Sequence, residues 1–194
     1  MTCAQHVGRL IVISGPSAAG KTTVGHYLAT HFERALHIDG DHIQDLVVAG
    51  AIRMDAPPPP GAVEQLLLRY RAAVTLAAVY QRSGFDAVVT DNAFEDGLLH
   101  LLSYATDNSP GEVFFVMLDP SVKAIWERYN QRPGGGYSQS LTPEVLKLAV
   151  SRSPQLGLRL DTSGQTHHET TAEILRQLPA AMVTSAAVDH LLAP

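Results

Sequence analysis

Short apolar runs alternate with longer stretches of helical period along this chain. The first run, Leu10-Ile11-Val12-Ile13-Ser14, is β-branched and uncharged, as a strand buried on both faces requires. Comparable runs occupy residues 35–39, 87–91, 113–118 and 156–161. Between them the period changes. Over residues 23–32, Val24, Leu28 and Phe32 lie four apart, on one helical face. The longest helical pattern, 62–82, brings Leu66, Tyr70, Val74, Ala77 and Gln81 near one another on the wheel. Residues 122–129 read as an amphipathic helix, and Thr142 with Pro143 reads as the cap and first position of another. The stretch 180–192 predicts a terminal helix. Strand and helix in alternation predict an α/β fold, a parallel sheet with helices on both faces.

Two interruptions stand out. Pro57-Pro58-Pro59-Pro60 stops any preceding helix and stiffens the approach to the long one. Gln131-Arg132-Pro133-Gly134-Gly135-Gly136-Tyr137-Ser138 predicts a mobile connection between two helices. Neither break separates two cores, so one domain over residues 1–194 is expected.

Composition narrows the function classes. The chain has 194 residues, 45% of them hydrophobic, and a formal net charge of −5. That balance offers no basic footprint for nucleic acid or for an anionic membrane. No apolar run is long enough for a membrane span, and Met1-Thr2-Cys3-Ala4-Gln5-His6 lacks the layout of a signal peptide. Cys3 is the single cysteine, which suits a reducing compartment. A cytoplasmic protein is expected.

The chemistry starts where the first strand ends. Gly15-Pro16-Ser17-Ala18-Ala19-Gly20-Lys21-Thr22 fits the Walker A pattern, and it lies between a strand and a helix. A loop so placed turns its backbone N–H groups toward a phosphate, with the positive end of the helix dipole behind it. Lys21 then reaches the β- and γ-phosphates and the Thr22 hydroxyl ligates Mg2+. The cradle comprises Gly15, Ser17, Ala18, Ala19, Gly20, Lys21, Thr22 and Thr23.

The second strand ends in Asp39-Gly40-Asp41, at the same sheet edge as that loop if the strands are parallel. Two carboxylates near a γ-phosphate make chemical sense when one faces Mg2+ and the other accepts the proton of an attacking hydroxyl. Asp41 is also suited to capping the helix that follows. Asp91, ending an apolar strand, has the form of a Walker B carboxylate directed at the metal. Asp119-Pro120 reads as a helix-start signal, and the adjacent His167 and His168 point to different faces of any helix, so no metal pair is expected there. Arg128 and Arg132 flank the glycine-rich break, positions from which a closing lid brings positive charge to a transferring phosphoryl group.

These residues, in this order, resemble the small P-loop kinases of the nucleoside-monophosphate-kinase-like group, which includes shikimate, gluconate and adenylylsulfate kinases and chloramphenicol phosphotransferase. The match runs through Ile13 to Thr23, His37-Ile38-Asp39-Gly40-Asp41, Thr90-Asp91, Leu118-Asp119-Pro120, Arg128, Arg132 and Leu160-Asp161-Thr162-Ser163-Gly164. The resemblance implies a three-layer fold with a five-stranded parallel sheet and a small lid over about residues 128–141. It further implies that Asp41 is the base, because it precedes a helix as the corresponding acid does in chloramphenicol phosphotransferase. The loop from Thr162 to Gln165 then borders adenine. Residues 41–72 are expected to form the acceptor pocket, with Arg53, Arg69 and Arg71 as candidate anion contacts.

The expected activity is an ATP- and Mg2+-dependent transfer of the γ-phosphoryl to a hydroxyl of a small metabolite or antibiotic, by a monomer or homodimer. A nucleoside or nucleotide kinase is the alternative within enzymes. A nucleotide-dependent regulatory ATPase is the alternative outside them. Against the latter stand the missing Asn-Lys-x-Asp guanine motif and Asn92, where mechanical ATPases carry a glutamate.

Overall fold

Alternate residues of the central strand bury on opposite sides, and this sorts the helices into two layers. The structure is a computed structural model that describes residues 6–131 and 140–193. Its sheet contains β1 (Leu10–Ser14), β2 (Ala35–Asp39), β3 (Asp86–Thr90), β4 (Val113–Leu118) and β5 (Leu158–Leu160), all parallel and in the order β2-β3-β1-β4-β5. Leu10 and Val12 face one core, with Val89 and Phe115. Tyr70, Val74 and Ala77 of α3 (Ala62–Gln81) and Leu98 and Leu102 of α4 (Glu95–Asn108) cover that side. Ile11 and Ile13 face the other core, with Val88 and Val116, beneath Val24 and Leu28 of α1 (Lys21–Ala29) and Ile174 of α7 (His167–Gln177). Strands buried on both faces explain the unbroken apolar runs.

Beyond β2 lies the short α2 (Gly40–Asp45). After β4 come α5 (Val122–Asn130) and α6 (Pro143–Arg152). Thr142 caps α6 through the Val145 N–H, with Pro143 in its first turn, as the sequence predicts.

Three expectations need correction. The sheet has a sixth strand, β6 (Met182–Val183), which pairs antiparallel with the start of β4. It interrupts the stretch expected to be a terminal helix. Pro179, which has no N–H to donate, sits in a 3-10 turn (Leu178–Ala181) after α7, and Thr184 then caps α8 (Ser185–Leu192) through the Ala187 N–H. The last parallel strand is shorter than 156–161. Leu156 is tied into a turn by its N–H to Pro154 O (3.0 Å), and Asp161 turns back to accept from the Ser163 N–H (2.9 Å). Finally, Ser121 rather than Asp119 caps α5. Asp119 instead forms an ion pair with Lys147 of α6, and Arg159 lies 3.7 Å away.

Candidate active site

Ser14 closes β1 completely buried. Its Oγ donates to Ala93 O (2.8 Å) and accepts from Ala93 N–H (2.9 Å), pinning the chain after β3 against the start of the glycine-rich loop. The loop then leaves Gly15 and folds on itself, Ala19 N–H donating to Pro16 O (3.1 Å). Ala18 and Ala19 are buried, and Ser17 is half-buried. Gly20, at φ 97°, is the N-cap of α1, a backbone conformation side chains rarely adopt. No side chain caps α1 and no acid stands in its first turn. Its leading N–H groups and positive dipole end therefore face outward as an anion cradle. Lys21 arches back with its Nζ donating to Pro16 O (3.0 Å), while Thr22 and Thr23 are exposed at the helix start.

Parallel register brings the acids to this same edge. Ile13 of β1 and Asp39 of β2 both pair with Thr90 of β3, so the three lie in one row across the sheet. Two strand spacings, about 10 Å, separate the outer pair. Just past that row come Gly15, Asp41 and Asp91.

Asp39 is the cap, not Asp41: its Oδ1 accepts from Asp41 N–H (3.0 Å), and it is nearly buried. An aspartate at an N-cap satisfies a helix-terminal donor and fixes the direction in which α2 leaves the strand. That direction leaves the Asp41 carboxylate 80% exposed on the first turn. Gly40 between them is needed for closeness, since a Cβ there would lie 2.0 Å from Asp91 Oδ2.

Arg69, projecting from α3, gathers the acids. It donates to Asp91 Oδ1 (Nη2, 2.5 Å) and to Gln44 Oε1 of α2, and its Nη1 stands 4.0 Å from Asp41 Oδ1. Asp91 Oδ1 also accepts from Asn92 N–H (2.6 Å), whereas Oδ2 is buried without a hydrogen-bond partner. Burial pushes the Asp91 carboxyl up to about 6, against the pull of Arg69. Tyr70 braces this loop by donating to Asn92 O (2.5 Å), and burial raises its phenol well above the ordinary value.

The arginines divide. Arg128 was expected in a lid, but its guanidinium is bound by backbone carbonyls. It donates to Ala19 O (3.1 Å), to Thr162 O and to Gln165 O (3.4 Å), and so joins the glycine-rich loop to the segment before α7. Arg132 and most of the expected lid lie outside the described residues. Arg53 is exposed, and Arg71 lies over the Tyr104 ring at 5.9 Å. Thr162 is buried, with its Oγ1 unpartnered. A cavity of about 470 Å3 opens beside it, lined by Gly164, Gln165, Glu169, Ala172, Glu173 and Arg176. His167 and His168 instead pack edge-on against Tyr27 of α1 (5.3 and 4.3 Å).

A nucleoside triphosphate with Mg2+ fits these groups. The uncapped α1 terminus and Lys21 suit the phosphates, and the lone Asp91 Oδ2 with the exposed Thr22 hydroxyl suits the metal. Among the described residues no group of three His, Cys, Asp or Glu is placed to hold a metal alone. Mg2+ characteristically completes its shell from phosphates and water.

Sequence reasoning missed two connections, Ser14–Ala93 and Arg69–Asp91. Both join side chains to partners in elements far apart along the chain, and no local pattern announces them.

No family model matches the chain, and no curated protein matches it. Solved structures do. A sugar kinase from a Janibacter species, unliganded, is similar at a TM-score of 0.67 and 20% identity, covering 93% of this chain and 98% of that one. An APS kinase from Mycobacterium tuberculosis, in complex with AMPPNP and APS, gives 0.66 and 16%, over 89% and 98%. The tunicamycin resistance protein of Deinococcus radiodurans gives 0.64 and 16%, over 91% and 98%. At these identities the likeness is one of fold: this chain has the fold of the P-loop kinases.

Proposed function

We propose that the chain is an ATP- and Mg2+-dependent phosphotransferase that moves the γ-phosphoryl group to a hydroxyl of a small molecule, in the cytoplasm where ATP is held. The observation that carries this reading is the convergence of Asp41 and Asp91 on Arg69, at the same sheet edge as the uncapped α1 terminus and Lys21. An ATPase that only hydrolyses would be expected to place its water-activating glutamate after Asp91, where this chain has Asn92. A phosphotransferase needs an exposed carboxylate beside its cradle.

In this reading the backbone from Gly15 to Thr23 and the Lys21 ammonium hold the triphosphate, and Thr22 and Asp91 hold the metal. Bound Mg2+ would supply charge neutralisation on the β- and γ-phosphate oxygens. Asp39 positions Asp41, its Oδ1 accepting from the Asp41 N–H, and a carboxylate's second oxygen stays available to the metal. Asp41 accepts the proton of the acceptor hydroxyl as that oxygen bonds to the γ-phosphorus and ADP leaves. Arg69 orients Asp41 and contributes, with Arg53, to the acceptor pocket of residues 41–72. Arg128 fixes the Thr162–Gln165 loop, which borders the adenine in this reading. The part given to Arg132, stabilising charge on the transferring group, rests on its sequence position.

Sugars and hydroxyl-bearing antibiotics are the first acceptors to test, given the sugar kinase and the resistance protein among the similar structures. The test is ATP consumption over such a panel, with mass detection of a phosphorylated product. A compound that gains one phosphate in wild type, but not in Lys21→Ala, supports the reading. ATP hydrolysis that no alcohol accelerates refutes it.

A further inference from the structure

Two of the three arginines in the acceptor region are already engaged by the protein. Residues 41–72 hold Arg53, Arg69 and Arg71 and no lysine. Arg69 donates through Nη2 to Asp91 Oδ1 (2.5 Å) and through Nη1 to Gln44 Oε1, with Asp41 Oδ1 at 4.0 Å. Its Nε is buried, and the side chain as a whole is 11% exposed. Arg71, about 200° further round α3, lies over the Tyr104 ring of α4. That leaves Arg53, exposed on the segment after α2, where solvent screens its charge.

The acids are disposed in the opposite way. Asp41 and Asp45 are both exposed and stand four residues apart on α2, hence on one face of it. Among the described residues Asp45 has no ion-pair partner, and Asp41 has only Arg69 at 4.0 Å. Like charges at this spacing weaken a helix, and an acid in the last turn opposes the helix dipole. The stability of α2 therefore does not account for Asp45.

Resting on the phosphotransferase reading above, we propose that the acceptor is an alcohol without an acidic group, and that the α2 face bearing Asp41 and Asp45 rejects alcohols that carry carboxylate, phosphate or sulfate. To bring its hydroxyl to Asp41, an anionic acceptor must enter between this face and a triphosphate that stays negative with one Mg2+ bound. Among the described residues no buried, uncommitted guanidinium waits there to receive it. One like charge about 6 Å away, at the effective dielectric near a protein surface, weakens binding roughly tenfold or more even after screening by salt. Selection of this kind works by repelling the wrong substrate rather than by gripping the right one.

The test uses alcohols that share a skeleton and differ in charge: glucose with glucuronate, ribose with ribose 5-phosphate, and glycerol with glycerate. Phosphorylated product is measured by mass spectrometry at saturating ATP and Mg2+. In every pair that yields product, the neutral member should show a kcat/KM at least tenfold above that of its acidic partner. Asp45→Arg should raise kcat/KM for the acidic members tenfold or more, while the neutral members and the KM for ATP stay within about twofold. Asp45→Asn should fall between wild type and Asp45→Arg. Circular dichroism should be the same for all three proteins, since position 45 is exposed and arginine suits the carboxyl end of a helix. An acidic member used by wild type as well as its neutral partner overturns the proposal, as does an Asp45→Arg variant that shifts both members of a pair alike. Product from neither member of any pair refutes instead the phosphotransferase reading, and this proposal with it.

Discussion

Asp41 and Asp91 stand just past neighbouring strand ends, and their surroundings give them opposite aptitudes. Asp41 is open to solvent and to any acceptor, whereas Asp91 is enclosed, with one oxygen on Arg69 and the other facing the Gly40 backbone. A proton acceptor needs the first environment, and a ligand for a metal carried in by phosphates needs the second. Replacing Asp41 by asparagine keeps the shape and removes the base. Asp41→Asn should lower kcat by about 10²-fold or more while ATP affinity, measured by calorimetry, stays within a factor of two or so. Arg69 belongs to both acids. Arg69→Ala strands Asp91 as a buried unpaired charge and should cost about 3–5 kcal/mol in urea denaturation at neutral pH. If the loss is only that of an ordinary surface substitution, the pair does not hold the site together. None of this pairing was legible in the sequence. The sequence offers Arg69 as an anion contact of the acceptor pocket, but that its anions are Asp91 and Asp41 emerges only when α3 is laid across the ends of β2 and β3.

At the scale of elements, what the sequence disclosed was whatever has a local cause. β1, the glycine-rich loop and α1 follow from an uncharged β-branched run ending in glycines, and α3 and α6 follow from period and caps. What it hid depends on contacts between distant segments or on a competing local bond. The sequence offers Asp41 as the cap of the helix that follows. The cap is instead Asp39, because α2 begins at Gly40. β6 is two residues long and exists because β4 offers an edge beside β5, a vacancy that no periodicity in residues 180–192 reveals. The element that most invites a direct test is α1, whose first turn has no side-chain cap. A non-hydrolysable ATP analogue with Mg2+ should raise the melting temperature by binding only the folded chain. At a concentration about a hundred times its Kd the stabilisation should be about 2.7 kcal/mol. Lys21→Ala should abolish the shift at the same concentration, and a shift that survives would place the anion elsewhere.

Across the whole molecule the two ends of the sheet do different work. The carboxyl ends gather the acids and the cradle. At the amino ends a bidentate pair joins Arg9, before β1, to Asp86, the first residue of β3 (Nε to Oδ1 3.0 Å, Nη2 to Oδ2 2.8 Å). Burial alone would raise the Asp86 carboxyl, but the hydrogen bonds from Arg9 hold it below the ordinary range. Its stabilising effect is therefore complete above the unfolded carboxylate value, near 4, and is lost as pH falls through the lower folded value. Asp86→Asn should cost about 2 kcal/mol at neutral pH, and the two proteins should converge in acid, without a change in turnover at pH 7. A difference that instead grew on acidification would invert the assignment. The account as a whole depends on one transfer. With an acceptor found by the panel, the rate of phosphorylated product should be measured by mass spectrometry at saturating ATP and Mg2+, for wild type and for Asp41→Asn. We predict one phosphate gained per acceptor at a rate that falls by about 10²-fold or more in the variant. Equal rates, or nucleotide turnover that ignores every hydroxyl compound, would contradict it.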